Sequence, residues 1–418
     1  MKTNELNKED LENIVRGACL LSSGGGGTYS SGLNLLKAFI KGPYYDQDYV
    51  DYIDVDDLPN SCTDCGLVVA YMGAPEAIAN LKYPEAGVNA AKKVKALMEA
   101  KGQKLAYIVP VEIGALSSIV ACTVAAKLGI PVINGDGAGR AVPELTMTTF
   151  AGHDVSTNPT ILANKDDLAI QLDVDSPDDT NNNNAAIVEA VARPTISLPE
   201  FGEQAGLAMW VMPAVQIKDV VKITQTLVAC KEVGKAISQL QGRLNPISIS
   251  KLLVECIKTS LNTKVFELCS GTLCSAENIT EGGFDHGKVV INSNGSTITI
   301  LFQNENLLAW NSASVKPLAM APDAIAYVVY DDQIVYSNGD LIGEDNALVK
   351  SLVGRKVSVI GIAAQTELRD SEAHKSKVRQ AIRLQSTNDK KGGEISHSFE
   401  LALEKLGYYG KYVPLEEL

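Results

Sequence analysis

The sequence of 418 residues has no apolar run that approaches the roughly 20 residues needed to span a bilayer. Its opening stretch, MKTNELNKEDLENIV, is polar and acidic, and it lacks the apolar core of a secretory signal peptide. Cysteine is sparse as well: the chain has eight, well below the density of a disulfide scaffold. We therefore expect a cytoplasmic protein with reduced thiols and no membrane partner.

Basic residues are in the minority. The chain has 37 Lys and Arg against 50 Asp and Glu, which gives a formal net charge of −13. Nucleic acids and anionic membrane surfaces attract basic patches, so this balance argues against nucleic acid as a partner. A small-molecule substrate is compatible with it.

Several catalytic and metal-binding signatures are missing. The chain has no H-E-x-x-H, no G-x-S-x-G and no kinase motif set. Cys62 and Cys65 have C-x-x-C spacing, but the next cysteine pair, Cys269 and Cys274, is far away and has different spacing. We interpret these cysteines as structural or incidental.

The first 165 residues alternate between strand-like and helix-like patterns. Continuous apolar runs that end near glycine are typical of buried strands, and apolar residues at helical spacing predict amphipathic helices. Alternation of this kind predicts a mainly parallel sheet with flanking helices. Strands are expected at 66–73, 104–114 and 130–139, and helices at 8–23, 30–40, 84–102 and 116–129.

The rest of the chain has a different texture. The polar segment 173–184, DVDSPDDTNNNN, is the best linker candidate because nothing in it can bury apolar surface. Residues from about 205 to 245 have helical spacing, and from about 262 short β-branched runs alternate with Gly and Asn. We predict an α/β amino-terminal domain at 1–168. A carboxy-terminal domain at 169–418 is predicted to be helical first and β-rich afterwards.

Turn signals support the β-rich assignment. Asn-Gly pairs at 294–295 and 338–339 are typical of tight turns between antiparallel strands. The chain is expected to close with a helix in its terminal segment, 396–418. We assign no role to the charged segment 364–394 or to the linker candidate.

Four consecutive glycines, Gly24 to Gly27, lie between two helix-like segments in SSGGGGTYSSG. They do not form a dinucleotide fingerprint, because a helix precedes them and Tyr29 occupies the place of the third glycine. A run of bare amides before a helix suits an anionic or carbonyl group. The loop is either a ligand-binding loop or a hinge between helices.

Glu112 follows a predicted buried strand in the segment PVEIG. Ligands usually bind at the carboxyl ends of strands in an open α/β sheet, so this carboxylate is a candidate general base or metal ligand. The alternative is a carboxylate that caps the following helix.

The stretch 133–153 holds the densest set of reactive side chains. Asp136 lies in a Gly-Asp-Gly-x-Gly turn, and Arg140, Glu144 and His153 follow it closely. Asp, Glu and His supply acid and base chemistry, and Arg binds carboxylates. Arg140 and Glu144 also have the four-residue spacing of an ion pair that would brace the loop. His153 is either a metal ligand or an ordinary surface residue.

Three polar residues, Asn304, Glu305 and Asn306, interrupt an apolar strand in LFQNENLLAW. They mark either a bulge at a ligand or hydrogen-bonding groups between strands.

Seven segments in their order along the chain resemble the S-methyl-thiohydantoin desulfurase family. The resemblance spans nearly the whole chain and is most specific at 131–149. It implies an α/β amino-terminal domain and a β-rich carboxy-terminal domain. The activity that it implies is hydrolytic removal of a sulfur group from a five-membered thiohydantoin ring, giving the hydantoin and a thiol. The segments are SSGGGGTYSSG, VPVEIGA, INGDGAGRAVPELTMTT, GGFDHGKVVI, FQNENLLAW, MAPDAIAYV and YYGKYVPLEEL.

Such an activity needs a base or metal to direct water, donors for developing negative charge, and a group that binds any substrate carboxylate. We assign Glu112 or Asp136 as base or metal ligand, Arg140 as anion clamp and Glu144 as its brace. One divalent metal ion is left open, with Glu112, Asp136 and His153 as candidate ligands. The expected substrate-binding residues are Gly24, Gly25, Gly26, Gly27, Thr28, Asn134, Asn304 and Glu305.

Two alternatives come from other functional classes. One is a non-catalytic small-molecule sensor or metabolic partner with the same pocket. The other is a structural protein that uses its β-rich half as an oligomer interface. Convergence of the loops 22–28, 110–114 and 134–144 on one pocket would count against the structural alternative, and scattered loops would favour it. In either case we expect a homo-oligomer.

Overall fold

The fold was analysed in a computed structural model. Most of the charged segment 364–394 and most of the expected terminal helix lie outside the described residues; within 413–418, Leu415–Glu417 forms a single 3₁₀ turn. The described residues are 3–41, 49–73, 85–175, 181–202, 204–240, 246–281, 284–313, 317–370 and 413–418.

The first sheet is mixed, and its centre is parallel. Its order is β1-β2-β5-β4-β3-β8-β6-β7, with β9 paired to β5, among the described residues. The three pairings from β2 to β3 are parallel, and the pairings outside them are antiparallel. The strands are β1 (Asn4–Asn7), β2 (Tyr49–Asp54), β3 (Asp64–Gly73), β4 (Lys104–Pro110), β5 (Val132–Asp136), β6 (Thr160–Ala163), β7 (Ala169–Leu172), β8 (Gln204–Pro213) and β9 (Ile223–Thr224).

Helices cover both faces of this sheet. Along β3, Leu67 and Val69 belong to one core, whereas Val68 and Met72 belong to another on the opposite face. This explains why β3 is a continuous apolar run rather than an alternating one. The helices are α1 (Lys8–Leu21), α2 (Tyr29–Lys41), α3 (Glu85–Glu99), α4 (Ser117–Leu128), α5 (Thr149–Gly152), α6 (Asn181–Ile196), α7 (Ala214–Val220), α8 (Thr226–Leu240), α9 (Pro246–Leu261), α10 (Asn338–Leu341) and α11 (Thr366–Asp370).

Helices α1 and α8 cross with their backbones in contact. A Cβ atom added to Gly17 would lie 1.8 Å from the carbonyl oxygen of Cys230, and one added to Gly234 would lie 1.8 Å from that of Asn13. The amino end of α1 is fixed by a capping box between Asn7 and Asp10. The two glycines therefore set the distance between these helices.

The second sheet is entirely antiparallel in the described residues, with the order β14-β13-β12-β11-β10-β17-β15-β16. Apolar residues of β15 share a core with α1, so a helical layer lies between the two sheets. The strands are β10 (Val265–Glu281), β11 (Phe284–Ser293), β12 (Ser296–Gln303), β13 (Glu305–Asn311), β14 (Pro317–Met320), β15 (Ala324–Val329), β16 (Val335–Tyr336) and β17 (Lys356–Ile362).

One of the two predicted Asn-Gly turns is correct. Asn294 and Gly295 have φ values of 51° and 82° and connect β11 to β12 as a two-residue turn. The prediction for Asn338 is wrong. Ser337 and Asp340 form a capping box around it, and this starts the helical turn α10 instead of a hairpin.

The predicted fold class is confirmed: an α/β amino-terminal domain precedes an antiparallel β-rich domain. The expectation of a mainly parallel sheet is wrong for its outer strands. The helical segment predicted from about 205 to 245 is also wrong at its start, because Gln204–Pro213 is a strand of the first sheet. The boundary between residues 168 and 169 stays a prediction. No helix in the described part of the chain is long and apolar enough to cross a membrane.

Candidate functional site

Three loops at the carboxyl edge of the first sheet lie against one another. The carbonyl oxygen of Gly26 accepts hydrogen bonds from the amides of Leu116 and Ser117, at 3.0 and 3.3 Å. The amide of Val142 in turn donates to Glu112 Oε2 at 2.9 Å. The predicted loops therefore lie against one another; their convergence on one pocket, which would count against the purely structural alternative, stays a prediction.

The β-rich domain completes this cluster from the other side. The amide of Asn306 donates to the carbonyl of Ser23, and the amide of Asn338 donates to that of Gly24, both at 2.7 Å. Gly25 lies directly on Glu305, since a Cβ atom there would be 1.8 Å from Glu305 Oε1. The second domain packs against the backbone of the glycine loop, which leaves no room for side chains there.

The anion site expected at the glycine loop is filled by the chain's own carboxyl groups. Glu305 Oε1 accepts from the amide of Gly26 at 3.3 Å, and Asp340 Oδ2 accepts from the amide of Tyr29 at 2.9 Å. Thr28 acts locally, since its Oγ1 accepts from the amide of Ser31 in the first turn of α2. The loop thus joins the two domains and does not present a vacant nest for a carboxylate.

Glu112 is held at the edge of the sheet just beyond β4. Its Oε1 accepts from the hydroxyl of Ser117 at 3.1 Å, so the carboxylate also touches the first turn of α4. The side chain is partly exposed. Desolvation raises the pKa of Glu112, and the charge of Asp136 adds to this effect. The hydrogen bonds from Val142 and Ser117 and the charge of Arg140 oppose it, and the net pKa is about 7. A carboxyl with this pKa exchanges protons readily near neutral pH.

Glu305 is more deeply buried, at 3% exposure. Its Oε2 atom has no hydrogen-bond partner among the described residues. Burial, followed by the negative charge of Glu112, raises the pKa of Glu305 well above its usual range, although Arg140 opposes the shift. Both effects favour the neutral form of Glu305 over its carboxylate, next to the carboxyl group of Glu112.

Arg140 bridges the domains through backbone carbonyls. Its guanidinium donates to the carbonyl oxygens of Ala141, Pro322, Asp323 and Asn306, at distances between 2.8 and 3.1 Å. Because most of its donors are used in this way, the side chain is poorly suited to clamp a substrate anion. It is 3% exposed, and burial lowers its pKa to about 10.

The expected brace between Arg140 and Glu144 does not form: no such ion pair occurs in the part of the chain that the structure describes. The hydroxyl of Thr146 instead donates to Glu144 Oε2 at 3.4 Å. Glu144 immediately precedes the short 3₁₀ turn Leu145–Met147. The Arg140 side chain binds backbone carbonyl groups instead, and the spacing of residues in the sequence could not reveal these partners.

Asp136 organises the turn that follows β5. Its Oδ1 accepts from the amides of Ala138 and Gly139, at 2.7 and 2.6 Å. Its Oδ2 is buried without a well-formed hydrogen bond, although the hydroxyl of Thr226 lies near enough to lower the pKa. Burial outweighs these donors and raises the pKa of Asp136 to about 6.

Asn134 lies outside the cluster. Its Oδ1 accepts from the amides of Leu227 and Val228, and its Nδ2 donates to Asp54 and Gln225. These bonds fix the first turn of α8 and use the polar atoms that a ligand would need. The expected substrate-binding role of Asn134 stays a prediction.

The three candidate metal ligands do not gather. His153 is exposed at the carboxyl end of α5, whereas Asp136 is buried at the end of β5. Among the described residues, no group of three or more His, Cys, Asp or Glu side chains is placed to hold a metal ion.

Sequence reasoning missed the contributions of Asn338 and Asp340. Asn338 Nδ2 donates to the carbonyl of Asn304 at 2.8 Å, and Asp340 caps α2. A signal was present, since Ser337 followed by Asp340 has the spacing of a capping box, but the Asn-Gly pair inside it was read as a hairpin turn.

The titration of Asp136 is expected to lower the free energy of unfolding as the pH rises from about 4 to 6. The pKa of Asp136 is raised from 3.8 to about 6, so its contribution to stability is present at low pH and is lost as pH rises through the folded-state pKa. Asp136→Asn removes this titration. Thermal melts between about pH 4 and 6 should therefore show a shallower decline for this variant than for the native protein.

The control for this prediction is Asp166→Asn, which changes an exposed carboxylate. It should decline in parallel with the native protein. If Asp136→Asn declines just as steeply, Asp136 does not titrate with a raised pKa.

Comparisons with known proteins agree with this architecture. Family models for S-Me-THD-like amino-terminal and carboxy-terminal domains match residues 9–173 and 182–378. An X-ray crystal structure of a protein from Chromobacterium violaceum is 38% identical, covers 99% of this chain and 100% of that chain, and superposes with a TM-score of 0.80. No curated protein matches the chain. Since the two models together cover most of its length, the chain belongs to the S-Me-THD-like family, the S-methyl-thiohydantoin desulfurase family that its sequence resembles.

Proposed function

We propose that the chain is a hydrolase that removes a thiol from an S-methyl-thiohydantoin-type ring. Family membership supports the ring class. The observation that carries the proposal is Glu112, a partly exposed carboxyl with a pKa of about 7 at the carboxyl edge of the parallel strands. A general base with a pKa near the working pH suits the activation of water.

The proposed reaction proceeds by addition and elimination. Glu112 takes a proton from water as the water oxygen bonds to the ring carbon that carries sulfur. The carbon–sulfur bond then breaks, and the leaving sulfur receives the proton from Glu112. A second proton, from the added hydroxyl, ends on the ring nitrogen, so the products are the hydantoin and the thiol. No oxidant or reductant is needed.

The neighbours of Glu112 support this role. Ser117 and Val142 fix both carboxyl oxygens, so the orientation of the base is set before substrate arrives. Arg140 holds the loop of residues 136–142 against the second domain through backbone carbonyls, which makes it a positioning residue. The negative charge of Glu112 raises the pKa of Glu305, so an ionised Glu112 favours the neutral form of its neighbour.

The test is a thiol-release assay with S-methyl-thiohydantoins, 2-thiohydantoins and hydantoins. We expect release from the S-methyl rings. Because the base works only when deprotonated, kcat/KM should rise about tenfold per pH unit below pH 7 and level off above it.

No thiol release from any ring would overturn the hydrolase proposal. Ring binding without release would then favour the non-catalytic sensor. Release with a flat profile between pH 5 and 8 would leave the reaction standing but remove Glu112 as its base.

A further inference from the structure

The side chain of Arg193 connects a helix on the first sheet with a strand of the second. Arg193 lies near the carboxyl end of α6, a helix that packs on one face of the first sheet. The central carbon of its guanidinium lies 3.8 Å from the ring centroid of Phe284, the first residue of β11. A cation within about 6 Å of a ring centroid is attracted to the negative face of the ring. Arg193 therefore ties the start of β11 to α6.

The same guanidinium binds a buried carboxylate one turn back on α6. Arg193 Nε donates to Glu189 Oε1 at 3.0 Å, and Nη2 donates to the same oxygen. The two side chains are only 17% and 10% exposed. A buried ion pair gives up in desolvation much of what it gains in attraction, so it is weak evidence for a stabilising role. Its further contacts indicate what the pair does.

Those contacts are with the loop that joins β5 to α5. Arg193 Nη2 donates to the carbonyl oxygen of Pro143 at 3.4 Å, and the amide of Leu145 donates to Glu189 Oε2 at 3.0 Å. The residue before Pro143 is Val142, whose amide donates to Glu112 Oε2 at 2.9 Å. Neighbouring residues are joined through rigid peptide planes, so a shift of Pro143 moves Val142 as well. The donor that orients Glu112 is thus held in place from α6.

Phe284 is itself a fixed point. The amide of the next residue, Asp285, donates to Asn304 Oδ1 at 2.8 Å, and the amide of Asn304 donates back to the carbonyl of Asp285 at 2.7 Å. Glu305 follows Asn304 and accepts from the amide of Gly26. The start of β11 is therefore anchored to the segment that contacts the glycine loop, and it gives Arg193 a surface that does not move freely.

We propose that Arg193 and Phe284 form a clamp that holds residues 142–145 against Glu112, and that both are positioning residues for the proposed reaction. The inference rests on the proposed function for the role of Glu112. Neither side chain needs to touch the substrate, since each acts through the amide of Val142. The clamp also gives a role to Phe284 in the segment GGFDHGKVVI, which the reaction itself leaves unexplained.

Two substitutions open the clamp while leaving the buried charge of Glu189 paired. Arg193→Lys keeps a positive charge but loses the planar fork that bonds Pro143 and stacks on the ring. Phe284→Leu keeps an apolar side chain but loses the ring face. Hydrogen exchange of the free protein, resolved at single residues, should show the amides of Val142 and Leu145 exchanging about tenfold faster in either variant, as expected when a hydrogen bond is weakened.

Thiol release from S-methyl-thiohydantoin gives the second readout. Either variant should lower kcat by about 10- to 100-fold, because a base displaced by a fraction of an ångström to 1 Å loses its alignment. KM should stay close to native, since the substrate is still bound. The double variant should lose no more than the worse single variant, because both changes open the same clamp. Phe284→Tyr keeps the ring face and should keep native kcat.

Two matched controls change the same residue types elsewhere. Arg355→Lys alters an exposed arginine that donates to the carbonyl of Ser351, and Phe266→Leu alters an exposed phenylalanine of the same sheet. Both should keep native exchange at residues 142–145 and native turnover. Circular dichroism shows that each variant is folded.

Unchanged exchange at Val142 and Leu145 in the clamp variants would overturn the proposal. So would native kcat in both variants, or losses of kcat that add in the double variant, as expected of two unrelated structural defects. The exchange measurement needs no substrate. Faster exchange in a protein that releases thiol from no ring would therefore overturn the hydrolase and leave the clamp standing, whereas native kcat in variants of an active enzyme would do the reverse.

Discussion

Glu112→Gln is expected to lower kcat/KM for thiol release by about 10²- to 10⁴-fold, the range found when a general base is removed. The substitution keeps the shape of the side chain. Its amide oxygen can still accept from Val142, and its amide nitrogen can donate to the hydroxyl of Ser117. The lost activity would therefore report the lost proton acceptor and not a displaced loop.

The measurement is thiol release by the purified variant with S-methyl-thiohydantoin as substrate. Binding of hydantoin to the variant would show that the site is intact. Glu200→Gln, which changes an exposed carboxylate, is the matched control and should keep native turnover. Native turnover in Glu112→Gln would show that another group directs the water, with Asp136 the next candidate.

Gly17→Ala is expected to destabilise the protein by about 3 kcal/mol, at the upper end of the cost of overpacking a core. The added methyl group would collide with the backbone carbonyl of Cys230, and a backbone cannot move aside as a side chain can. Alanine is intrinsically better in a helix than glycine, by roughly 0.5–1 kcal/mol. Any loss of stability must therefore come from the contact between α1 and α8.

Chemical denaturation monitored by circular dichroism measures this effect. Gly343→Ala is a suitable control, because the nearest atom to its Cβ would be the tip of the Asp345 side chain, at 3.3 Å, and the next atoms would lie at 3.8 Å. The control should change stability much less. Equal effects of the two substitutions would contradict the close packing of α1 on α8.

The sequence predicted the parallel centre of the fold well because its signals are local. Runs such as GLVVAYMG are apolar on both faces, and they appear in the structure as β3 and its neighbours. The strand β8 was missed because its apolar run is ambiguous between helix and strand. It reads QAGLAMWVMP, and an apolar run of this length has neither the period of an exposed helix nor that of a half-buried strand.

The candidate site was predictable only in part. Glu112 was found because a carboxylate after a buried strand lies where α/β sheets bind ligands. The role of Arg140 could not be found in this way, since it depends on carbonyl groups 166 to 183 positions away along the chain. Asn338 was missed because an Asn-Gly pair usually forms a turn between strands. The capping box around this pair starts a helical turn instead.

The capping of α2 by Asp340 has a consequence during synthesis. Gly26 is 279 residues from Glu305, and Tyr29 is 311 residues from Asp340. At roughly 5–20 residues per second, the ribosome needs about 15–60 seconds to deliver these partners. Until then the glycine loop is bound to water, and α1 lacks the strand β15 that covers it. The core around α1 is therefore completed only after the last third of the chain has been synthesised. A nascent chain that stalls before residue 305 exposes the apolar residues of this core to water.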